Sequence, residues 1–500
     1  MATNTMIKSV ATVTVFSVIT RTLAFIFKVY LSRTAGAEIM GLYQISLSVF
    51  FLFVSLTSSG LSTVLSRRAA EVNALDRNDK GHDLVTTALA VSMCIAVVTF
   101  ATLEIASPIL SRFISDERAV PMLKIMFPAI LSTTAYCIIR GWLWGRKEFL
   151  AFSLTELIEE VLRIIFTLLF ISGVVFGIKG STGIAVAFTI SDFIVAIVLV
   201  ILFFKKGGRI TKITDVKGLT RPAVPLTLMR VFGSLIGTIL SIMLPMRLIS
   251  AGISSAEATS AVGRIAGMAN PLILAPNAII SSLAIVLIPE MSEENVKKNY
   301  VSLNKHISNG IKFALLVSGV FMCIYVALGK EICEILYADS VSGEYLQVAS
   351  WLMLLSPINA IIMSSMNSIG MEKESFFTYS IGTIFMLIAL YFLPQYVGIY
   401  SVAIANAVCV IVALSGNLYI LYKKINLDFR FLKTLVSVSV ISIPCIFFTS
   451  TIYELCSQVN SVFALIVATC AVGAMYALLA FALGQVDVNL ITSFKRKKLQ

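Results

Sequence analysis

The chain has 500 residues, 58% of them hydrophobic and only 13% charged, with a mean hydropathy of +0.93. Soluble domains carry roughly 25% charged residues, so an ordinary soluble enzyme or binding module is excluded and a chain built for a lipid bilayer is predicted. The net charge of +12 is no nucleic-acid signal, because the excess lysines and arginines fall mainly in short loops between apolar runs; no nucleic-acid partner is expected.

Apolar runs of about 20 residues, the length that crosses a roughly 30 Å hydrocarbon core as a helix, recur from end to end. In chain order they predict 14 spans at 9–32, 41–65, 84–106, 121–143, 153–176, 181–204, 222–249, 263–288, 307–329, 346–368, 375–393, 397–422, 432–452 and 461–484. The fold class is therefore an all-α polytopic membrane protein. No polar stretch between spans is long enough for a separate soluble domain. The start, MATNTMIKSV, holds one lysine and no small-residue cleavage site follows its apolar run, so it reads as a retained first helix rather than a signal peptide.

Loop charges test this topology, because cytoplasmic loops are enriched in Lys and Arg. One side receives Arg67, Arg68, Arg77 and Lys80, then Arg146 and Lys147, then Lys205, Lys206, Arg209, Lys212, Lys217 and Arg221. The same side takes Lys297, Lys298 and Lys305, then Lys373, then Lys423, Lys424, Arg430 and Lys433, and the tail from Lys495 to Lys498. The other side holds only Arg33, Arg112, Arg118, Lys179, Arg247 and Lys330. Both termini are predicted to be cytoplasmic.

An internal repeat links spans 6 and 12. Residues 180–206 and 398–424 have equal length, begin with Gly, carry an early Ala-rich face and end in Lys-Lys. Similar loops, G145-RKEFLAFS153 and G370-MEKESFFTYS380, precede the helix before each. A six-span offset preserves membrane orientation, which predicts parallel repeats facing a central cavity. The expected organisation is an N-terminal lobe over 1–221, a C-terminal lobe over 222–430, and two extra helices with a basic tail over 431–500.

Charges within spans are the main chemical signal, because a cation near the middle of a span costs roughly 2.5–3.5 kcal/mol on insertion scales. Arg21 lies about halfway along span 1, and its own span has no acid. It either meets a carboxylate of another helix or lines a cavity. Lys28, seven residues on, falls roughly 20° from the same face and is close enough to the end to snorkel. Arg140 and Arg264 lie nearer helix ends. Span 5 holds the densest group, T155-ELIEEVLR163, with Glu159 and Arg163 at the favoured i,i+4 spacing. Glu156, Glu160 and Arg163 share a helical stripe. Either the acids neutralise Arg163 structurally, or protonation or ion binding at Glu159 or Glu160 releases it. Asp192 in span 6 is a further candidate coupling carboxylate or an arginine partner. Arg230 follows Pro222 and Pro225 in span 7, about 12 Å inside at 1.5 Å per residue, too deep to snorkel easily.

Gly233 with Gly237, and Gly263 with Gly267, have the spacing that lets helices approach closely. Prolines 128, 245, 271, 276, 357 and 444 predict kinks suited to alternating access. The cysteines form no CxxC and read as small packing residues. His82 and His306 fall in polar loops, and no metal site is expected. There is no GxxxxGK[ST], HExxH or GxSxG motif, so the chain reads as a non-enzymatic carrier without a cofactor.

Four segments carry a resemblance: S32-RTAGAEIMGLYQ44, S59-GLSTVLSRRAAE71, the region from R140-GWLWGRKEF to TELIEEVLR163, and G263-RIAGMANPLILAPNAIISSLAIVLIPEMSE293. They resemble the stage V sporulation protein B group, in the polysaccharide-flippase branch of the MATE-like superfamily that also includes MurJ-type lipid II flippases. The resemblance implies a two-lobed, 14-helix carrier in the bacterial inner membrane. Relatives of this kind move undecaprenyl-pyrophosphate-linked sugars from the inner to the outer leaflet. In MurJ-type members cations of spans 1, 2 and 8 line the cavity. Arg21 matches the span 1 arginine by its place before the TLAF run, Arg264 lies in span 8, and span 2 has no buried cation here.

The leading expectation is a flippase for a peptidoglycan precursor or a related wall or spore-wall glycan. Arg21, Lys28, Arg163, Arg230 and Arg264 would hold the pyrophosphate, because the arginine fork makes paired, charge-assisted bonds to phosphate oxygens. Glu159, Glu160 and Asp192 are the candidate coupling carboxylates, with a monovalent cation or the membrane potential as drive and membrane lipids as further partners. The alternatives are a cation-coupled multidrug exporter, which calls for cavity carboxylates and aromatics, and a non-transporting scaffold for wall or spore assembly.

Overall fold

The computed structural model describes residues 2–74, 78–171, 180–458 and 460–485. The end of predicted span 5 beyond 171, with Lys179, Arg77 and the basic tail from Lys495 to Lys498, lies outside the described residues. Regular structure among the described residues is helical throughout. The chain divides into two compact units, Met1–Gly267 and Met268–Gln500.

The first unit begins with α1 (Ala2–Ala74), which is helical across the expected 33–40 loop and broken only at Gly36, with φ 79° and ψ 173°. Most residues of RTAGAEIM form helix readily; the break falls at the residue that adopts positive φ without steric cost. The two arms, 2–35 and 37–74, carry predicted spans 1 and 2. Next come α2 (Asn78–Leu110), α3 (Ala119–Met126), α4 (Ala129–Gly145), α5 (Phe149–Ile171), α6 (Gly180–Lys205), α7 (Val216–Ser250) and α8 (Ser255–Val262), followed by a π-helical stretch, Gly263–Ala269. Helices α4 and α7 pack along α1. Leu65, Trp142, Leu143, Leu199 and Phe203 fill a shared core, with the Trp142 and Phe203 rings edge to face at 4.8 Å.

The second unit contains α9 (Asn270–Leu274), α10 (Asn277–Val296), α11 (Tyr300–Tyr337), α12 (Ser340–Ala349), α13 (Ser356–Ser368), α14 (Glu372–Phe392), α15 (Pro394–Val397), α16 (Ser401–Ile425), α17 (Phe431–Ser457) and α18 (Ser461–Ala482). Ile307, Ile311, Leu315, Ile362, Met366 and Leu421 form its core, and α17 and α18 pack on α11 and on each other.

Among the described residues, 9 helices are long and apolar enough to cross a membrane, or 12 when each of three bent pairs is one span. The stretch Val13–Asn73 is one of these, and Gly36 divides it into two arms. Helix α5 fails the test on Glu156, Glu159, Glu160 and Arg163, not on length. The 14 predicted spans thus overlie described helical segments, the fourth, eighth, tenth and twelfth each running over more than one and the fifth reaching as far as Ile171.

The repeat is visible in local geometry. Helices α3 and α4 bend by 49° at Pro128, and the α12 and α13 segments bend by 44° at Pro357. The turn after α4 uses Lys147 at φ 61°, and the turn after α13 uses Gly370 at φ 80°. Division into units falls later than the 221/222 boundary taken from the repeat, because α7 packs along α1.

Two expectations need correction. His82 and His306 are not in loops, because α2 and α11 extend beyond their apolar runs; Asn299 caps α11 by accepting from the Ser302 amide. His82 is buried with its ring 6.3 Å from that of Trp142, and His306 Nδ1 lies 3.3 Å from Glu290 Oε2. Gly233 and Gly237 make no close helix contact among the described residues, none of which places an atom within 4 Å of where a Cβ would stand. Gly263 does sit against the α1 backbone at Ala37.

Candidate functional site

A cavity of about 1050 Å³ opens within the first unit, between the second arm of α1, α4 and α7, with Glu159 of α5 and Asp192 of α6 at its wall. Its α1 wall is a hydroxyl stripe, Ser55, Ser58, Ser59, Ser62, Thr63 and Ser66, at the spacing that keeps side chains on one helical face. Ser58, Ser59, Ser62 and Thr63 donate to backbone carbonyls three or four residues earlier, at 2.5–3.2 Å. With their protons so committed, these oxygens present lone pairs to the cavity.

Backbones meet closely behind this wall. A Cβ on Gly141 of α4 would lie 2.6 Å from the Ser62 carbonyl oxygen, and one on Gly60 of α1 would collide with Ala223 and Thr227 of α7. Glycine is required at both contacts, and the two helices that flank α1 carry the cavity arginines. Arg230 of α7 donates from Nη2 to Thr63 Oγ1 at 3.2 Å and has no carboxylate partner among the described residues. Arg140 of α4 pairs with Glu156 at 2.5 Å and lies over the Phe152 ring at 4.3 Å. Arg67, which is exposed, lines the same cavity and lies 3.8 Å from Glu71.

Beside the cavity is a charge cluster on α5 and α6. Arg163 is held by Glu159 at 2.5 Å, Glu160 at 3.1 Å and Asp192 at 3.9 Å, and its guanidinium lies over the Phe188 ring at 5.1 Å. Thr133 of α4 donates to the other Asp192 oxygen. Taking three carboxylates and one guanidinium out of water is costly unless each charge is paired. Lys28 acts electrostatically on Glu160, and Arg21 on Glu156. Arg21, Lys28, Arg140 and Arg163 thus share one electrostatic neighbourhood with Glu156, Glu159, Glu160 and Asp192. Glu156 belongs to Arg140 and not to Arg163, despite sharing a stripe with the latter.

Of the predicted pyrophosphate residues, Arg230 lines the cavity. Arg21 is exposed on the first arm of α1, Lys28 is half-buried there, and Arg163 lies within the carboxylate cluster. Arg264, in the π-helical stretch, pairs with Glu257 of α8. Glu159 and Asp192 face the cavity, and Glu160 is buried. The hydroxyl stripe, Arg140 and Arg67 join the candidate site only through the packing of α1, α4 and α7. The recurrence of Ser and Thr every three or four residues from 55 to 66 was the signal for the stripe.

Residues 6–295, more than half of the chain, match the family described as polysaccharide biosynthesis protein. The chain belongs to that family. Among its relatives, stage V sporulation protein B of Bacillus subtilis (strain 168) is 23% identical over 384 residues, covering 73% of this chain and 74% of that protein. Lipid II flippase MurJ of the same organism is 19% identical over 332 residues, 60% of each chain. Among solved structures, lipid II flippase MurJ in an inward closed conformation superposes with a TM-score of 0.72, covering 98% of this chain and 99% of that one at 16% identity. An inward-facing multidrug resistance MATE family transporter of the MOP superfamily gives 0.68, covering 84% and 95% at 16% identity. The fold of this family member is that of the MATE-like transporters, in a multi-pass membrane protein, as the GLYQ and IPEMSE segments implied.

Proposed function

We propose that this family member is a flippase that carries an undecaprenyl-pyrophosphate-linked saccharide, a peptidoglycan precursor or related wall glycan, from the inner to the outer leaflet of the bacterial cell membrane. The observation that supports this reading is the cavity of the first unit, where Arg230 has a hydroxyl but, among the described residues, no acid to satisfy it. An anionic pyrophosphate supplies the missing charge, and the hydroxyl stripe offers acceptors to sugar hydroxyls. Arg140 joins by exchanging Glu156 for phosphate oxygen. Arg21 serves as the exposed first contact on α1, with Lys28 and Arg264 as flanking cations. Arg163, with Glu159, Glu160 and Asp192, forms the coupling group, in which a bound proton or monovalent cation offsets the excess of carboxylate around one guanidinium. An inside-negative potential favours outward movement of a net anion by about 2.3 kcal/mol per charge per 100 mV.

The test is reconstitution into vesicles with defined undecaprenyl-linked substrates. Arg21→Ala and Arg230→Ala, purified as folded protein, are expected to lose flipping; wild-type flux in both variants overturns the reading. A second reading, cation-coupled export of cationic drugs, draws on Glu159 and Asp192 facing the same cavity as Tyr136 and Trp144. It predicts drug efflux that is lost in Asp192→Asn and retained in Arg230→Ala.

A further inference from the structure

The second unit has a basic basin unrelated to the cavity above. It encloses about 1570 Å³ between the start of α11, the α16–α17 turn and the end of α18. Lys305, Lys312, Lys423, Lys424, Arg430 and Lys433 line it, with Asp428 as the acid among its lining residues. Asp428 is held by Arg430 at 2.7 Å. Lys423 lies over the Tyr419 ring at 4.6 Å. Lys312 is half-buried, twelve residues into α11, and has no carboxylate partner among the described residues. So many cations in one concavity repel one another unless an anion occupies it.

The basin floor is built. Asn304 donates to the Ile425 and Asn426 carbonyls at 3.4 and 3.3 Å, tying α11 to the α16–α17 turn. Asn426 makes that turn at φ 51°. Buried Thr434 donates to Gln485 at 3.1 Å, and Gln485 donates to Ser437 at 3.0 Å, which fixes the end of α18 against α17.

The position selects the class of anion. All four helices are long and apolar enough to cross a membrane, and five of the six cations stand within about two turns of their ends, where a phospholipid headgroup lies, with Lys312 further along α11. Exposed apolar and aromatic side chains adjoin them, Tyr422, Phe429 and Leu432 at the turn, then Val436, Val440 and Ile443 along α17. Aromatic residues favour the headgroup level and aliphatic ones the acyl region. A soluble anion gains nothing from such a face, whereas a lipid uses its headgroup and its chains together.

We propose that this basin binds the headgroup of an acidic phospholipid, with its acyl chains along α17, as a site separate from the translocation cavity. Its occupancy ties the second unit to anionic membrane and does not depend on what the first unit carries.

The test uses the full chain in nanodiscs of equal parts phosphatidylcholine and phosphatidylglycerol, released into mild detergent and weighed by native mass spectrometry. The wild type is expected to retain phosphatidylglycerol in preference to phosphatidylcholine. Lys312→Gln, Lys423→Gln, Lys424→Gln and Lys433→Gln together are expected to cut that preference by more than about tenfold, given the contribution of each surface lysine. Should the fourfold variant fail to fold, Lys424→Gln with Lys433→Gln, both exposed, carries the test at a smaller reduction. A variant with the same charge loss in the first unit, at Lys205, Arg209, Lys212 and Lys217, is expected to keep the preference. The proposal is overturned if the basin variant retains lipid as the wild type does, if the first-unit variant loses as much, or if excess inorganic phosphate displaces the lipid.

Discussion

The two units share a helical plan and differ in what they bury. In the first, Asp116, Glu160 and Asp192 are buried carboxylates. In the second, the buried polar residues among those described are Ser, Thr, Asn and Gln, such as Ser318, Thr378, Asn417 and Gln485. The repeat makes the contrast local. Residue 192 aligns with Val410 of α16, and α14, the counterpart of α5, has no acid or base from 375 to 392. One copy carries the cost of internal charge, while in the other α14 from 375 on and α16 as far as Tyr422 are uncharged. The plan of bent and straight helices is therefore built in the second unit without those charges.

The largest expected effect tests whether the first unit's charges form one set. Arg163→Ala leaves Glu159, Glu160 and Asp192 facing one another and is expected to cost about 3–5 kcal/mol, read as loss of monodisperse protein and a lower unfolding temperature. Combining Arg163→Met with Glu159→Gln, Glu160→Gln and Asp192→Asn is expected to recover most of that stability while transport stays lost. If the fourfold variant is as unstable as Arg163→Ala, the charges are not a closed set. The reciprocal change, Val410→Asp, puts an acid in a unit whose helices α11 to α16 contain no arginine to meet it. It is expected to cost about 2.5–3.5 kcal/mol, measured as membrane accumulation against Val410→Asn. Arg230→Ala is expected to slow flipping by roughly 10- to 100-fold, the equivalent of one charge-assisted hydrogen bond of about 1.5–3 kcal/mol, with its unfolding temperature near that of the wild type. Arg230→Lys keeps the charge but loses the fork and is expected to fall between. Thr63→Ala removes a neutral partner of Arg230 and is expected to change apparent substrate affinity by about fivefold, near 1 kcal/mol, in the same vesicle assay.

The spans were legible because their length is fixed by the bilayer, and the bends at Pro128 and Pro357 because proline cannot complete the helical ladder. Helical continuity through 33–40 was not, since a hydropathy break looks the same whether the chain turns or bends at Gly36. The charges of α5 were readable as a group, but their sharing was not. Glu156 faces Arg140 and Arg163 faces Asp192 across helices, and only packing decides such pairs. Lys312 was passed over in an apolar span, although a lone lysine about 18 Å along a helix by its 1.5 Å rise was a signal of the same kind as Arg230.

On the proposed function, the glycine contacts behind the hydroxyl wall bear on selectivity. Arg140 immediately precedes Gly141, which lies against the α1 backbone, and Arg230 stands one turn beyond Thr227, which lies against Gly60. Main chain approaches main chain at both points, at Gly141 through the Ser62 carbonyl and at Gly60 through the Ala223 carbonyl beside the Thr227 hydroxyl. The two guanidinium groups therefore hang from fixed jaws, and their spacing is set by the thickness of one helix. On the proposed function, such a gauge is expected to sort cargo by reach before charge takes hold, gripping at two points a headgroup long enough to touch both jaws and at one point a shorter anion of equal charge.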